Sequence, residues 1–128
     1  MMHADHVPEP GWRTGLVVLL VLAALNACAP GTDDEELIAA GEALYTNSCA
    51  RCHQPDGEGF APIYPHLAGN PLVTLHDPDP VIEIVLEGSG GMRGFRNTMD
   101  QEELAQVISY IRNAWGNDAS TVTPTRVK

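Results

Sequence analysis

The stretch that decides the fold is Cys49-Ala50-Arg51-Cys52-His53, a C-x-x-C-H run. Two cysteines separated by two residues can carry both thiols to one edge of a flat ring, where each can add to a vinyl group. The residue that follows, His53, then lies beneath the ring and can offer a nitrogen to a metal at its centre. This spacing is the attachment signature of a c-type haem. We therefore expect one covalent haem c, with Cys49 and Cys52 as its anchors and His53 as an axial iron ligand.

The C-x-x-C pattern has two other common uses, in thiol redox enzymes and in zinc sites. A thioredoxin-like motif should open a helix after a strand, but no strand-rich segment precedes Cys49. A structural zinc site needs a second pair of Cys or His at ligand spacing. The remaining cysteine, Cys28, stands alone, and His66 and His76 are not arranged as a pair. The trailing His53 favours haem, and both alternatives stay open at this point.

The N-terminal part of the chain has the pattern of an export signal. An uncharged apolar run, Gly15–Ala27, follows Arg13 and is too short to span a bilayer comfortably. It predicts a signal peptide over residues 1–27. The folded part is therefore expected to be periplasmic or otherwise extracytoplasmic.

The end of this run suggests a lipid anchor. Leu25-Asn26-Ala27-Cys28 resembles the lipobox of bacterial lipoproteins. The resemblance implies that Cys28 is acylated, becomes the mature N-terminus and holds the protein at a membrane. A tether is expected over residues 28–34. A cut after Ala29, an uncleaved anchor, or Cys28 as an ordinary small residue of the signal are the alternatives.

Length and charge narrow the classes of function. The chain has 128 residues and a formal net charge of −10, and from Cys28 onward acidic residues outnumber Lys and Arg by 15 to 6. The acidic balance, with no basic stripe, argues against nucleic-acid binding. About a hundred residues give a thin core that often depends on a cofactor, and a buried porphyrin would supply the missing apolar bulk.

The first half of the domain predicts one helix and one long loop. Thr32 and Glu35 have capping-box spacing, and small and apolar residues then recur at helical spacing up to Cys49. Frequent Pro and Gly predict a loop over residues 54–78. At the other end of the chain, residues 118–128 are polar and lack an apolar stripe, so they predict a flexible tail.

Two more helices are expected after the loop. Asp79 can cap a short one with Pro80 at its first position. Asp100 can cap a longer one, with Glu103 three positions on, and Gly116-Asn117 should stop it. The buried face expected for this last helix consists of Leu104, Val107, Ile108, Ile111, Ala114 and Trp115.

The order and spacing of these pieces resemble a class I, mono-haem cytochrome c over roughly residues 35–117. The resemblance implies an all-α fold of three to four helices wrapped around one covalent haem. It also implies that Gly41 and Tyr45 meet Val107 and Tyr110 where the first and last helices cross. The segments that carry the resemblance are Gly41–Tyr45, Cys49–His53, Asp56–Gly59, Pro65–Asn70, Met92–Phe95 and Tyr110–Asn117.

In that family, a methionine sulfur from the loop before the last helix is the second axial ligand. Met92 lies among glycines, and its Met-x-x-Phe run resembles the family's ligand loop. Met99 fits another role, because its distance of five positions from Leu104 suits a hydrophobic staple. Met92 is therefore the expected second metal ligand, and Arg93 departs from the proline that many relatives have after it.

The resemblance also implies a role for Pro65. Its carbonyl should accept the second ring N–H of His53, which fixes the tautomer and orients the ring. His66 and His76 are alternative axial ligands, but both lie in proline-containing loops.

A haem iron held by histidine and methionine implies a one-electron carrier, because this ligand pair raises the reduction potential and fills the sixth position. No Ser/His/Asp set or paired carboxylates suggest a separate catalytic site, so we expect an electron-transfer protein and not an enzyme. The expected partners are redox proteins, and Arg51, Arg93 and Arg96 are candidates either for a basic rim around the haem edge or for partners of the haem propionates. The alternatives are an electron-accepting subunit of a larger periplasmic oxidoreductase and a haem-based sensor.

Overall fold

The structure, a computed structural model, describes residues 33–128, which belong to one compact unit. The signal peptide expected over residues 1–27, the acylation of Cys28 and the cap at Thr32 lie outside the described residues. None of the helices in the described part is long and apolar enough to cross a membrane.

The described chain is mostly helical, which confirms the all-α class. Its one sheet in residues 33–128 is a hairpin of two very short strands. The elements are α1 (Asp33–Ser48), α2 (Ala50–His53), α3 (Asp79–Glu87), β1 (Gly88–Ser89), β2 (Met92–Arg93), α4 (Gln101–Asn113) and a 3-10 turn (Pro124–Arg126).

The packing of α1 on α4 organises the domain. A Cβ added at Gly41 would overlap the backbone carbonyl of Gln106 and the side chain of Tyr110, so only glycine lets the two backbones approach this closely. One turn further along α1, the ring of Tyr45 lies 5.4 Å from the ring of Tyr110. The helix crossing implied by the resemblance is therefore present.

The start of α4 has the expected capping box. The Asp100 carboxylate accepts the backbone N–H of Glu103 at 2.9 Å, and the Glu103 carboxylate accepts the backbone N–H of Asp100 at 3.0 Å. The expected buried face is also present, except that Ala114 and Trp115 are only partly buried. The buried residues of α4 are Leu104, Ala105, Val107, Ile108, Ser109, Ile111 and Arg112.

The start of α3 differs from the expectation. Pro78 is the N-cap and makes no side-chain hydrogen bond, and Asp79 is the first residue of the helix. The Asp79 carboxylate instead accepts two hydrogen bonds from the Arg126 guanidinium, at 3.0 and 2.7 Å. The Asp79 carboxylate is therefore paired with Arg126, from the far end of the chain, and does not cap the helix as local spacing predicts.

The hairpin was not expected from the sequence. Gly88 pairs with Arg93 and Ser89 with Met92, across the two-residue loop Gly90-Gly91. Gly90 has a φ of 56°, the left-handed conformation that such tight loops require. Strands of two residues carry too short an alternation to be recognised in a sequence. The hairpin places Met92 on a defined strand and not in an unstructured loop.

The C-terminal tail packs on the core, and the prediction of a flexible tail over residues 118–128 is at odds with this. Val122 and Val127 are each 1% exposed. Ser109 of α4 accepts the backbone N–H of Val122 at 2.8 Å, and Arg112 donates to the carbonyl of Ser120 at 2.8 Å. Two isolated valines make no stripe, which is why periodicity did not reveal this contact.

Candidate haem site

The C-x-x-C-H run lies where α1 gives way to the single turn of α2. The backbone N–H groups of Cys52 and His53 both donate to the carbonyl of Cys49 at 3.0 Å. This turn brings residues three apart to one side of the backbone, so that Cys49 and Cys52 face the same way. Both are partly buried, and neither forms a disulfide. The arrangement suits two bonds to one edge of a porphyrin.

The ring of His53 is held by the loop that follows it. Its Nδ1 lies 2.9 Å from the carbonyl oxygen of Pro65, the contact that the resemblance implies. A carbonyl can only accept, so Nδ1 carries the proton and donates it. In the neutral ring the other nitrogen, Nε2, then keeps its lone pair. The structure thus provides an oriented imidazole with a nitrogen ready to bind a metal.

The loop between His53 and Pro65 is closed by backbone hydrogen bonds. Gly59 donates to the carbonyl of His53 at 2.9 Å, and Leu67 donates to the carbonyl of Gly57 at 2.6 Å. Gly57 has a φ of 71°, and a Cβ there would overlap the indole of Trp115. The loop can therefore fold back on itself only with glycine at this position.

The longer segment between α2 and α3 exposes apolar side chains of the kind that a haem covers. All the large hydrophobic side chains that are exposed among residues 33–128 lie in this segment, between residues 60 and 75, at 39–66% exposure. Scattered exposed apolar residues are ordinary, but a set confined to one segment beside a binding motif indicates a ligand. The residues present therefore fit a haem: two thiols, an oriented imidazole and an apolar loop. The exposed side chains are Phe60, Ile63, Tyr64, Leu72 and Leu75.

The two candidate methionines occupy different surroundings. Met92 lies on β2 and packs, partly buried, against the hydrophobic core. Met99 lines a cavity of about 280 Å³ that Leu104 also lines, as a hydrophobic staple would place it. None of the expected haem residues lines that cavity. His66 and His76 are both exposed.

Arg93 links β2 to the attachment motif. Its guanidinium carbon lies 5.0 Å above the centre of the Phe95 ring, and its positive charge acts to lower the pKa of the Cys49 thiol. Arg96, in contrast, forms an ion pair with Glu87. Of the three arginines expected to form a rim, Arg96 is therefore already neutralised by a neighbour.

The pKa of Cys49 disfavours the thiol redox alternative. Burial, together with the nearby Cys52 thiol, raises this pKa to about 11, against the opposing charge of Arg93. A thiol with this pKa is protonated at neutral pH, whereas thiol redox enzymes attack with a thiolate. The zinc alternative needs three or more ligands together, and residues 33–128 contain no such group of His, Cys, Asp or Glu.

The residues that hold the loop after His53 in place could not be identified from the sequence. Tyr45 donates its hydroxyl to the carbonyl of Gln54 at 2.5 Å, and Trp115 donates its indole N–H to the carbonyl of Pro55 at 3.0 Å. The rings of Tyr45 and Trp115 are 4.9 Å apart. Both residues lie in segments that resemble the family, but their hydrogen-bond partners are not readable from spacing. Asn117 also holds this loop, through contacts of its side-chain amide with Leu67 and Gly69.

An all-α fold in which an oriented imidazole follows a C-x-x-C pair defines a c-type cytochrome domain. Residues 36–111 match the cytochrome family described as cytochrome c oxidase, cbb3-type, subunit III, and the chain belongs to this family of class I cytochromes c. These residues therefore form an electron-transfer domain that binds haem c covalently. Membership also supports a location outside the cytoplasm.

Individual proteins show the same likeness. Cytochrome c-552 of Thermus thermophilus is 33% identical over 94 residues, which is 62% of this chain and 70% of that protein. The cytochrome c subunit of alcohol dehydrogenase (quinone) from Gluconobacter oxydans is 36% identical over 91 residues, which is 62% of this chain but 19% of that subunit. This chain therefore spans only a small part of such dehydrogenase subunits.

A solved structure extends the likeness to three dimensions. Cytochrome cL of Methylophaga aminisulfidivorans superposes with a TM-score of 0.53 at 22% identity, over 82% of this chain and 69% of that one. At this identity the likeness shows the fold alone.

The buried hydroxyl of Tyr45 predicts a pH dependence of stability. Burial raises the pKa of Tyr45 well above its ordinary value of 10.0, with smaller contributions from Cys49, Tyr110 and Asp56. Above pH 10 the unfolded chain loses this proton while the folded chain keeps it. The free energy of unfolding should therefore be undiminished below about pH 10 and fall as the pH rises beyond it. Denaturant titrations between pH 8 and pH 11.5 measure this.

Tyr45→Phe removes the titrating group, so the free energy of unfolding should fall less steeply above pH 10. At neutral pH it should cost about 1 kcal/mol, because the hydrogen bond to Gln54 is lost. The comparison is Tyr110→Phe, which removes the other tyrosine whose pKa is raised by burial and should flatten the remaining part of the fall. Equal alkaline slopes for Tyr45→Phe and the unmodified protein would contradict the assignment.

Proposed function

We propose that this domain carries single electrons between redox proteins, with the haem bound through Cys49 and Cys52 and its iron held between His53 and Met92. The observation that carries the proposal is the hydrogen bond from His53 to Pro65, since it leaves Nε2 as a free donor next to the two thiols. Met92 is supported by its place on β2, directly before Arg93, whose charge reaches Cys49.

The chemistry that haem supplies is a one-electron change between Fe(III) and Fe(II). His53 and Met92 would hold the iron, and with both in place no position would be left for a substrate or oxygen. A thioether favours the reduced iron relative to a second imidazole and raises the potential. The domain is therefore suited to outer-sphere transfer and not to bond-making chemistry.

A second candidate function is an electron-accepting subunit of a larger oxidoreductase. It is favoured by the likeness to cytochrome c subunits of dehydrogenases, such as those of alcohol dehydrogenase (quinone) and gluconate 2-dehydrogenase. The two candidates share the same haem chemistry and differ in whether the partner is permanent. Stable co-purification with a catalytic chain favours the second.

We also propose that the domain is attached to a membrane through an acylated Cys28. The support is the lipobox-like Leu25-Asn26-Ala27-Cys28 after an apolar run. A periplasmic lipoprotein would keep the haem domain within a short tether of membrane-bound redox partners.

Substitution of each methionine tests the axial assignment. Met92→Ala should remove the sulfur ligand, abolish the sulfur-to-iron charge-transfer band, lower the potential and open the reduced iron to carbon monoxide. Met99→Ala, the matched control, should keep the band and the potential and lose only stability. The measurements are absorption spectra with and without carbon monoxide. The reverse pattern, or carbon monoxide binding by the unmodified protein, would contradict the assignment and favour a sensor.

The charges of the described residues indicate where a partner docks. Arg51 and Arg93 are exposed, and in residues 33–128 neither makes a hydrogen bond or an ion pair with a protein side chain. Arg51 lies between the two anchoring cysteines, and the charge of Arg93 acts on Cys49. Both therefore mark the edge of the porphyrin that carries the thioether bonds.

This edge is distinct from the one that carries the haem propionates. In haem the vinyl groups, which the cysteines consume, and the propionates lie on opposite sides of the ring. Arg51 and Arg93 are therefore badly placed to neutralise propionates, and they form a positive patch on an acidic protein. We propose that this patch, Arg51 and Arg93, docks a partner surface that presents carboxylates.

Small charged oxidants can probe this patch. Arg51→Gln combined with Arg93→Gln should slow oxidation by hexacyanoferrate(III), an anion, by roughly threefold to tenfold at low ionic strength, and should speed oxidation by the cationic tris(phenanthroline)cobalt(III). Both effects should shrink as salt shortens the Debye length. Stopped-flow rates measure this, with the spectrum confirming intact ligation.

The control is Arg126→Gln combined with Lys128→Gln, which makes the same change in net charge in the C-terminal tail. It should alter both rates much less. Equal effects of the two double variants would show that the overall charge acts and not a local patch.

A further inference from the structure

The turn that follows α4 is strained in a way that its sequence does not require. Trp115 has a φ of 54° and Gly116 a φ of 87°. A bulky residue other than glycine rarely adopts the left-handed conformation, and such strain persists only where the surroundings impose it. The consequence of the turn is that two side chains, those of Trp115 and Asn117, both meet the loop that follows the haem motif.

Trp115 binds the part of the loop directly after His53. Its indole N–H donates to the carbonyl of Pro55 at 3.0 Å, and its ring lies against Gly57, where a Cβ would overlap it. The indole is itself fixed by contacts with the rings of Tyr45 and Tyr110, at 4.9 and 5.6 Å between ring centres. Trp115 therefore connects the helix crossing to the backbone two residues beyond the axial histidine.

Asn117 binds the part of the loop directly after Pro65. Its side-chain oxygen accepts the N–H of Gly69 at 2.8 Å, and its side-chain nitrogen donates to the carbonyl of Leu67 at 3.1 Å and to that of Ile111 at 2.7 Å. The residue is 7% exposed. Only this orientation of the amide satisfies all three contacts, since one partner donates and two accept.

We infer that the turn Trp115-Gly116-Asn117 is a positioning device for the axial histidine. Trp115 holds the segment next to His53, whose ring donates the hydrogen bond. Asn117 holds the segment next to Pro65, whose carbonyl accepts that bond. Both are tied to the end of the same helix, so the distance between the His53 ring and the Pro65 carbonyl cannot change freely. The inference rests on the proposed role of His53 as an iron ligand.

The effect on function follows from the hydrogen bond. A carbonyl that accepts the Nδ1 proton gives the imidazole more electron density to donate, which favours Fe(III) over Fe(II). If the turn is loosened, the contact between His53 and Pro65 lengthens, the imidazole becomes a weaker donor, and the reduction potential rises. Trp115 and Asn117 thus act through the loop backbone and are positioning residues.

The test uses the full haem-bound protein and two substitutions. Trp115→Phe removes the N–H donor but keeps an aromatic ring, and Asn117→Ala removes all three contacts of the amide. Asn113→Ala is the matched control, because Asn113 lies on the same helix end but donates only to the carbonyl of Ser109, at 2.9 Å. The measurements are the reduction potential and the exchange rate of the His53 ring N–H, followed by NMR in the reduced protein.

We expect both substitutions in the turn to raise the potential and to accelerate exchange of the ring proton, and Asn113→Ala to do neither. Asn117→Asp keeps the acceptor for Gly69 but sets an oxygen against the carbonyls of Leu67 and Ile111, so it should change the potential and the exchange rate in the same direction as Asn117→Ala. Variants that lose stability but keep the wild-type potential and exchange rate would show a purely structural role and overturn the inference. If Asn117→Ala does not fold, Trp115→Phe decides alone. An unmodified protein without a histidine-ligated haem spectrum would instead overturn the proposed function.

Discussion

The hydrogen bond from the His53 ring to the Pro65 carbonyl is the constraint on which the rest of the structure depends. It orients the imidazole of a histidine next to two cysteines, so that the ring can bind a metal. For this hydrogen bond to form, residues 54–65 must fold back over the C-x-x-C-H motif. This fold requires Gly57 in the left-handed conformation, and it requires other residues to support the loop. That support comes from the crossing of α1 and α4, which permits close approach only because Gly41 has no side chain.

The haem also completes the core of the domain. The described residues bury a modest set of aliphatic side chains and leave the apolar residues of the loop exposed. A flat apolar group bound beside that loop would remove these side chains from water, at a gain of about 25 cal/mol for each Å² of apolar surface covered. The same group thus supplies both electron transfer and part of the stability, so one binding motif determines the fold and the function together.

Much of this was predictable from the sequence because the signals are local. Asp100 and Glu103 are three residues apart and can only meet at a helix start, and the C-x-x-C-H run specifies its cofactor through spacing alone. The contact of Gly41 with the last helix was expected from family resemblance and is present. In each case, chemistry and geometry are contained within a few consecutive residues or a known pattern.

The features that the sequence did not predict depend on contacts between residues that are distant in the chain. Asp79 was expected to cap a helix, but it pairs with Arg126, and the tail that carries Arg126 is packed and not loose. Arg96, a candidate for the basic rim, pairs with Glu87, a contact that the sequence does not reveal. Local spacing cannot reveal such contacts, because they exist only once the fold is formed. The strain at Trp115 is of the same kind, since its cause lies some sixty residues away, at Pro55.

The most direct test of the account is the intact mass of the purified protein in denaturant, after expression alongside haem-attachment machinery. Covalent thioether bonds at Cys49 and Cys52 predict the mass of the mature chain plus one haem, retained when the fold is lost. A compact, colourless protein with the mass of the polypeptide alone would contradict it.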